Sequence, residues 1–269
     1  MTPASAAPPP DLAQHFERII TDRHVRAGRT LVAALGLVPG ASVLELGCGT
    51  GLLSEHLADK VGMRGDVLGL DPSAYHMAIA HQRSRPNLRF QVGSPFAMAR
   101  FPAACFDVVV ANGLLQHWPD HLTPLRELHR VLKPGGRLGL VTDSRDHPHP
   151  VSVVHDAVVA RAPFSDYGRS PDDVSHAVTA TELDALLHQA GFDQVEITPQ
   201  ADVNVHSTVS AAIAFVQAGA WGRFLRHLPD KPLDLRDQAL QQITLGLERL
   251  RTAEGIRHTG LRLMAVARK

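Results

Sequence analysis

The stretch VLELGCGTGLLS, residues 43–54, decides the fold of this chain. It begins as a short apolar run of the kind that forms a buried strand, and it carries one carboxylate, Glu45. Glycines follow at positions 47, 49 and 51, and a helical pattern starts at Leu52. Glycine lets the backbone adopt positive φ and approach a ligand closely, and a following helix offers free N–H groups. The stretch therefore predicts a strand, a ligand-binding loop and a helix.

The spacing of the loop glycines narrows the class of ligand. Gly47, Gly49 and Gly51 form G-x-G-x-G, whereas a dinucleotide fingerprint is G-x-G-x-x-G and a P-loop continues with Lys and Ser or Thr. Glu45 would repel a pyrophosphate but could lie near a cation. Asp71 ends the second predicted strand, where a carboxylate can accept hydrogen bonds from both ribose hydroxyls. The pattern favours a nucleoside that carries a positive sulfonium rather than a diphosphate.

Strand-like and helix-like segments alternate along most of the chain, which is typical of a parallel sheet with helices on both faces. The predicted strands are SVLELG, DVLGLD, LRFQVG, FDVVVANG, RLGLVTD, QVEITP and TGLRLMAVARK. We therefore predict an α/β fold with a doubly wound, seven-stranded, mostly parallel sheet. In such sheets ligands bind at the carboxyl ends of the strands.

Some segments lie outside this alternation. Residues 1–10 are rich in Pro and Ala and are expected to form a disordered tail. Residues 11–269 are expected to form one domain, whose core comprises 37–143, 179–199 and 258–269. The remaining segments are expected to be helical lid insertions that contact the substrate: 11–36, 144–178 and 200–257.

The charge balance and the cysteine count exclude several classes of function. Lys plus Arg and Asp plus Glu both number 27, so no basic excess attracts nucleic acid phosphates. The two cysteines, Cys48 and Cys105, form neither a disulfide framework nor a zinc motif. The first residues lack the features of a signal peptide. We expect a cytoplasmic protein without nucleic acid, membrane or metal partners, and we leave a homodimer open.

Four sequence blocks together resemble a known family. VLELGCGTG, VLGLDPSAYHMAIA, FDVVVANGLLQHW and LHRVLKPGGRLGLV resemble the class I S-adenosylmethionine (SAM)-dependent methyltransferases, in particular the small-molecule enzymes related to ubiquinone and menaquinone biosynthesis. The blocks cover about 40–142, and TATELDALLHQAGFDQVEIT extends the resemblance to about 198. The resemblance implies a Rossmann-like methyltransferase fold, SAM as cofactor and S-adenosylhomocysteine as product.

The resemblance also implies roles for individual residues. Glu45 and the loop glycines would line the methionine part of SAM, and Asp71 would hold the ribose. Ser94 stands where the family usually has the aspartate that binds the adenine amino group. The remaining cofactor residues that it implies are Pro72, Ser73, Met77, Gly93 and Asn112.

Methyl transfer from SAM depends mainly on orientation and exclusion of water, and a general base is needed only for a protonated acceptor. The candidates for such a base are His117 and His147, although packing roles remain open for both. Candidates for substrate contact in the lid segments are His149, His155, Tyr167 and His206. For Cys48, between the loop glycines, a packing role is favoured over a nucleophilic one.

The sequence therefore predicts a SAM-dependent methyltransferase that acts on an O, N or C atom of a small organic metabolite. The resemblance favours a step of specialised metabolism. An alternative is an enzyme of the same fold that binds SAM but catalyses a non-methylating cyclisation or rearrangement. A third hypothesis is a non-catalytic ligand-binding subunit.

Overall fold

The computed structural model describes residues 24–168, 174–218, 225, 228 and 234–269. Its strands are β1 (Ser42–Leu46), β2 (Asp66–Asp71), β3 (Leu88–Val92), β4 (Phe106–Asn112), β5 (Leu132–Asp143), β6 (Asp193–His206), β7 (Arg251–Thr252) and β8 (Gly255–Arg268). The first helix, α1, covers 24–35. The others are α2 (Leu52–Val61), α3 (Ala74–Ala80), α4 (Leu122–Val131), α5 (Pro150–Val159), α6 (Ala180–Gln189), α7 (Val209–Ala218) and α8 (Leu235–Glu248).

The strands form one sheet in the order β3-β2-β1-β4-β5-β8-β6, with β7 paired to β8. Strands β3, β2, β1, β4 and β5 are parallel, whereas β8 runs antiparallel to both β5 and β6. The predicted doubly wound and mostly parallel sheet is confirmed. In the described part of the chain, the two-residue strand β7 brings the number of strands in this sheet to eight, one more than predicted, because so short a strand leaves no pattern in the sequence.

Apolar clusters cover both faces of the sheet. Leu125 of α4 and Leu183 of α6 belong to the cluster on one face. Leu31 of α1, Leu57 of α2 and Met77 of α3 belong to the cluster on the other. Because both faces are buried, the central strands are continuous apolar runs in the sequence. Glu45 interrupts such a run, and it is the exception that requires explanation.

Strand β5 begins earlier than predicted. The sequence places its start at Arg137, whereas the structure places it at Leu132, directly after α4. The register with β4 shifts between Phe106 and Val108, and Gly135 adopts a φ of 75°. A bulge thus accommodates the KPGG turn inside the strand, and sequence patterns alone do not reveal this.

Strands β6 and β8 also extend farther than predicted, so the helical lid expected for 200–257 begins and ends as strand, with helices α7 and α8 between. Residues 201–206 pair with 256–261 beyond the end of β5; we call this part the β6–β8 ribbon. Its burial pattern is inverted: Asp202 and Asn204 turn to the protein interior, whereas Val203 and Val205 are exposed. A polar inner face hides the alternation that normally identifies a half-buried strand.

Helices α5, α7 and α8 pack on this ribbon and form what we call the cap. It has its own apolar cluster, which includes Phe164, Ile213, Ile243 and Ile256. The cap therefore comes from the two segments that the sequence set apart as lids. Residues 1–23 and most of 219–233, which include the predicted tail and part of the predicted lids, lie outside the described residues. Of the helices that the structure describes, none is long and apolar enough to cross a membrane.

Candidate active site

The loop between β1 and α2 depends on glycine for its shape. Gly47, Gly49 and Gly51 have φ values of 64°, 53° and 88°, in the left-handed region that favours glycine. A Cβ on Gly47 would collide with the side chain of Leu114, which follows β4. The predicted loop is therefore present, and its glycines leave the backbone uncovered. A side chain at these positions would strain the backbone or collide with a neighbouring residue. The loop can accommodate an elongated ligand along the ends of β1 and β4.

Glu45 lies in β1 directly before this loop and is only 2% exposed. The hydroxyl of Ser54, in the first part of α2, donates a short hydrogen bond to its carboxylate. Burial raises the pKa of Glu45 to about 7, although the Ser54 hydrogen bond opposes the shift; the nearby negative charge of Asp71 adds to it. A bound cation would offset the cost of ionising this buried group. The site is therefore suited to a positively charged ligand.

Asp71, at the end of β2, is held in one orientation by backbone donors. The N–H of Gly49 donates to Oδ2 at 3.0 Å, and the N–H of Ser73 donates to Oδ1 at 2.9 Å. The carboxylate thus joins the glycine loop to the first turn of α3. Nδ1 of His76 also lies 3.3 Å from Oδ1. Oδ2, which accepts only from Gly49 among these contacts, can accept a further hydrogen bond from a ribose hydroxyl. This geometry fits the role that the sequence assigned to Asp71.

The remaining predicted cofactor residues around the adenine position differ in their surroundings. Pro72 is exposed, Ser73 caps α3, and Met77 is buried in the apolar cluster below that helix. The hydroxyl of Ser94 accepts a hydrogen bond from the N–H of Phe96, so Ser94 begins the short 3-10 helix Pro95–Arg100.

Beside Gly93 and Ser94, Val92 and Phe96 are about half exposed. These two apolar side chains could cover a flat base, and neither was singled out from the sequence.

Asn112 ends β4 and faces the beginning of α1. Its Nδ2 donates to the carbonyl oxygen of His24 at 2.8 Å. Its Oδ1 is buried and has no hydrogen-bond partner among the described residues. Gly28 and Gly113 make this approach possible, because a Cβ on Gly28 would lie 3.0 Å from the Asn112 amide and one on Gly113 would lie 2.9 Å from the His24 ring. An unsatisfied buried carbonyl oxygen next to the glycine loop is suited to a donor on a ligand.

The thiol of Cys48 is buried within the glycine loop and lies against Gly69 of β2. Burial raises the pKa of this thiol far above its ordinary value, and the charges of Glu45 and Asp71 add to the effect. A thiol that stays protonated is a poor nucleophile, which supports the packing role. In the described part of the chain, no group of three or more His, Cys, Asp or Glu is arranged to hold a metal ion.

The structure separates the two histidines that were candidates for a general base. His117 is half-buried at the end of the 3-10 helix Leu115–His117, five residues after the end of β4. His147 is exposed in the loop after β5, where its carbonyl oxygen accepts from Leu261. His117 therefore remains near the strand ends, whereas the ring of His147 faces solvent. Their catalytic roles stay predictions.

The four residues that were predicted to contact substrate lie in different surroundings. His149 is buried against Asp202 of the ribbon, with 3.1 Å between Nε2 and Oδ2. His206 stacks on His258, and the Nε2 atoms of the two rings lie 3.2 Å apart. Nδ1 of His258 lies 3.4 Å from Nδ1 of His149.

His155 is buried in α5 beside Asp156, and Tyr167 is exposed. His149 and His206 thus share one buried cluster with His258, whereas His155 and Tyr167 do not belong to it. No substrate contact is established for any of the four.

Arg262 connects this histidine cluster with the strand ends. It is 3% exposed, and its Nε lies 3.0 Å from Asp202 and 3.6 Å from Asp143. Its Nη2 lies 3.4 Å from Nε2 of His24. A cavity of about 280 Å³ borders this network between α1 and the ribbon, lined in part by Arg26, Thr30, Gln200, Asp202 and Arg262.

Sequence reasoning missed Ser54, His24 and Arg262. Ser54 lies nine residues after Glu45, and no motif connects the two. His24 and Arg262 lie 238 positions apart in the chain. Only the folded chain brings them to the same end of the sheet.

Comparison with known proteins agrees with this geometry. Residues 44–140 match the family model described as a methyltransferase domain. These residues include most of β1, all of β2 to β4 and most of β5, and hence Glu45, the glycine loop, Asp71 and Asn112.

Two curated relatives extend the match. The chain is 34% identical over 178 residues to 2-phytyl-1,4-naphtoquinone methyltransferase of Thermosynechococcus vestitus, which covers 61% of this chain and 78% of that protein. It is 40% identical over 118 residues to demethylmenaquinone methyltransferase of Lactococcus lactis subsp. lactis, where the match covers 42% of this chain and less than half, 46%, of that protein.

Among solved structures, the YcgJ protein from Bacillus subtilis has a similar fold. The TM-score is 0.61 over 91% of this chain and 99% of that one, at 17% sequence identity. At this identity the likeness concerns the fold alone. The fold, the family model and the relatives agree on the class of protein, and the site residues fit the methyl donor of that class: a buried carboxylate for a cation, and a fixed carboxylate for a ribose.

Proposed function

We propose that this chain, which belongs to the class I SAM-dependent methyltransferases of the quinone-methyltransferase type, moves the methyl group of SAM to an O, N or C atom of a small organic metabolite. SAM supplies a methyl group on a positively charged sulfur. The chain's own contribution is to bind this donor at Glu45, the glycine loop and Asp71, to orient the acceptor, and to exclude water. We further propose that the reaction serves specialised metabolism.

The observation that carries the proposal of a small acceptor is the position of the cap. Helices α5, α7 and α8 pack around the ribbon, which continues β6 and β8 past the carboxyl end of β5. The cap therefore stands beside the edge of the sheet where Glu45, Asp71 and Asn112 are located. A cap that stands beside the site and narrows access to it favours a metabolite over a macromolecule. The equal numbers of acidic and basic residues further disfavour a nucleic acid acceptor.

The names of the relatives guide the choice of acceptors to test. Two of them are named for naphthoquinone-type substrates, so hydroquinones and phenols are the first class we propose. If the methyl group goes to a hydroxyl oxygen of such an acceptor, the hydroxyl proton must leave; if it goes to a ring carbon, the proton on that carbon must leave. His117 is the proposed base for that step, because His147 is exposed to solvent.

The test is to incubate the purified chain with SAM and a panel of phenols, hydroquinones, amines and carboxylic acids. S-adenosylhomocysteine and a product heavier by one methylene unit should form in equal amounts with at least one class. Asp71→Ala serves as the control and should lose the reaction. A small-molecule product that forms without S-adenosylhomocysteine would contradict methyl transfer and support the cyclisation or rearrangement alternative.

A further inference from the structure

We propose that His24 and Arg262 are positioning residues for the cofactor: together they fix the amide of Asn112 so that its Oδ1 accepts a hydrogen bond from the ammonium group of SAM. This inference rests on the assignment of the cofactor site and deepens it. We call the chain of contacts from Arg262 through His24 to Asn112 the latch.

The side-chain amide of Asn112 has one defined orientation. The carbonyl oxygen of His24 can only accept a hydrogen bond, so the group that faces it at 2.8 Å must be the NH₂ of Asn112. The Oδ1 atom therefore points away from His24. It is buried and has no hydrogen-bond partner among the described residues. In β1, Leu46 pairs with Ala111 of β4, which places Asn112 beside the first residue of the glycine loop.

The ring of His24 is located by contacts with Gly113 and Arg262. Its ring packs over Gly113, where a Cβ would lie within 2.9 Å of the ring. Its Nε2 lies 3.4 Å from Nη2 of Arg262. Since an arginine side chain can only donate hydrogen bonds, this Nε2 must be the acceptor. One residue therefore contacts Asn112 through its backbone and Arg262 through its side chain.

The side chain of Arg262 is held by two carboxylates. Its guanidinium lies between Asp202 of β6 and Asp143 at the end of β5, and the side chain is almost completely buried. A guanidinium that two carboxylates hold has little rotational freedom. The first turn of α1 is thus tied to four strands: β4 through Asn112, and β5, β6 and β8 through Arg262.

The latch has a natural control at the opposite end of the same helix. Arg137 of β5 donates to the carbonyl oxygen of Gly36, just after α1, at 3.3 Å. This contact also joins α1 to the sheet, but it lies at the end of β5 remote from Asp143. A variant at Arg137 therefore weakens the attachment of α1 to the sheet but leaves the contacts among Arg262, His24 and Asn112 in place.

The experiment measures binding by calorimetry for three ligands: SAM, S-adenosylhomocysteine, and 5′-methylthioadenosine, which lacks the amino acid part and its ammonium group. Arg262→Met and His24→Phe should each weaken binding of the first two about ten- to a hundredfold, the effect of losing one hydrogen bond to a charged group. Binding of 5′-methylthioadenosine should stay unchanged. The double variant should bind no more weakly than either single one, because both break the same chain of contacts. Arg262→Lys, which retains a donor, should recover part of the affinity, and Arg137→Met should bind all three ligands as the unchanged protein does.

Three results would overturn the latch. One is unchanged binding of S-adenosylhomocysteine in both Arg262→Met and His24→Phe. Another is an equal loss of 5′-methylthioadenosine binding, which would indicate general damage to the site. The third is an equal effect of Arg137→Met, which would reduce the role of Arg262 to helix packing. If the unchanged protein binds S-adenosylhomocysteine as expected but methylates no small acceptor, the proposed function fails while the latch stands.

Discussion

Replacing Glu45 with Gln should remove a pH-dependent loss of stability from the cofactor-free protein. In the unfolded chain the carboxyl has its ordinary pKa of 4.5, whereas burial raises the pKa of Glu45 to about 7 in the folded protein. Below pH 4.5 the group is protonated in both states. As the pH rises from 4.5 to 7, only the unfolded chain releases the proton, so stability falls.

The size of this effect follows from the two pKa values. Each pH unit between them costs about 1.4 kcal/mol, so the full loss approaches about 3.5 kcal/mol above pH 7. The side chain is buried, so solvent screening does not reduce this figure much. Between pH 5 and pH 8, the free energy of unfolding of Glu45→Gln should therefore rise relative to the unchanged protein by about 2–3 kcal/mol.

Urea unfolding at several pH values, followed by circular dichroism, measures this difference. Glu196→Gln, which removes an exposed carboxylate from β6, is the control and should show no such trend. Ser54→Ala removes a hydrogen bond that stabilises the ionised carboxylate, so the loss of stability should continue to higher pH. A constant difference between Glu45→Gln and the unchanged protein from pH 5 to pH 8 would refute the raised pKa.

Three further changes have defined outcomes. Asp71→Ala removes the carboxylate that accepts from Gly49 and Ser73, and SAM binding measured by calorimetry should weaken by about 1–3 kcal/mol; an unchanged Kd would contradict the role in ribose binding. Gly113→Ala places a Cβ against His24 at a φ of 75°, and thermal unfolding should show a loss of about 1–3 kcal/mol, whereas an unchanged Tm would show that α1 moves freely. Thr179→Ala breaks the capping box at the start of α6, and the free energy of unfolding in urea should fall by about 1 kcal/mol. The value of kcat/KM should stay the same; a fall in kcat/KM would connect α6 to the site.

The central part of the fold was predictable because its sequence pattern reports burial directly. Strands β1, β2 and β4 are buried on both faces, so they appear as apolar runs, and glycine or a helix signal ends each of them. The order of these runs along the chain then predicts a parallel sheet with crossover helices.

The ribbon was not predictable in the same way. Asp202 and Arg262 turn inward and form an ion pair, and His258 is buried against His149 and His206, whereas valines face solvent. Rules that equate polar residues with exposure fail where charges and imidazoles are buried as pairs. The segment was therefore predicted to belong to a helical lid.

The sequence by itself predicted the residues that we propose to bind the cofactor. Glu45, the glycine loop and Asp71 lie at the ends of neighbouring strands, and local backbone requirements bring them to one edge without help from distant residues. The tertiary structure alone decided what surrounds them. His24 meets Asn112 and Arg262, and Ser54 meets Glu45, through packing of α1 and α2 on the sheet. Contacts between residues far apart in the chain have no fixed spacing, so only the folded chain defines them.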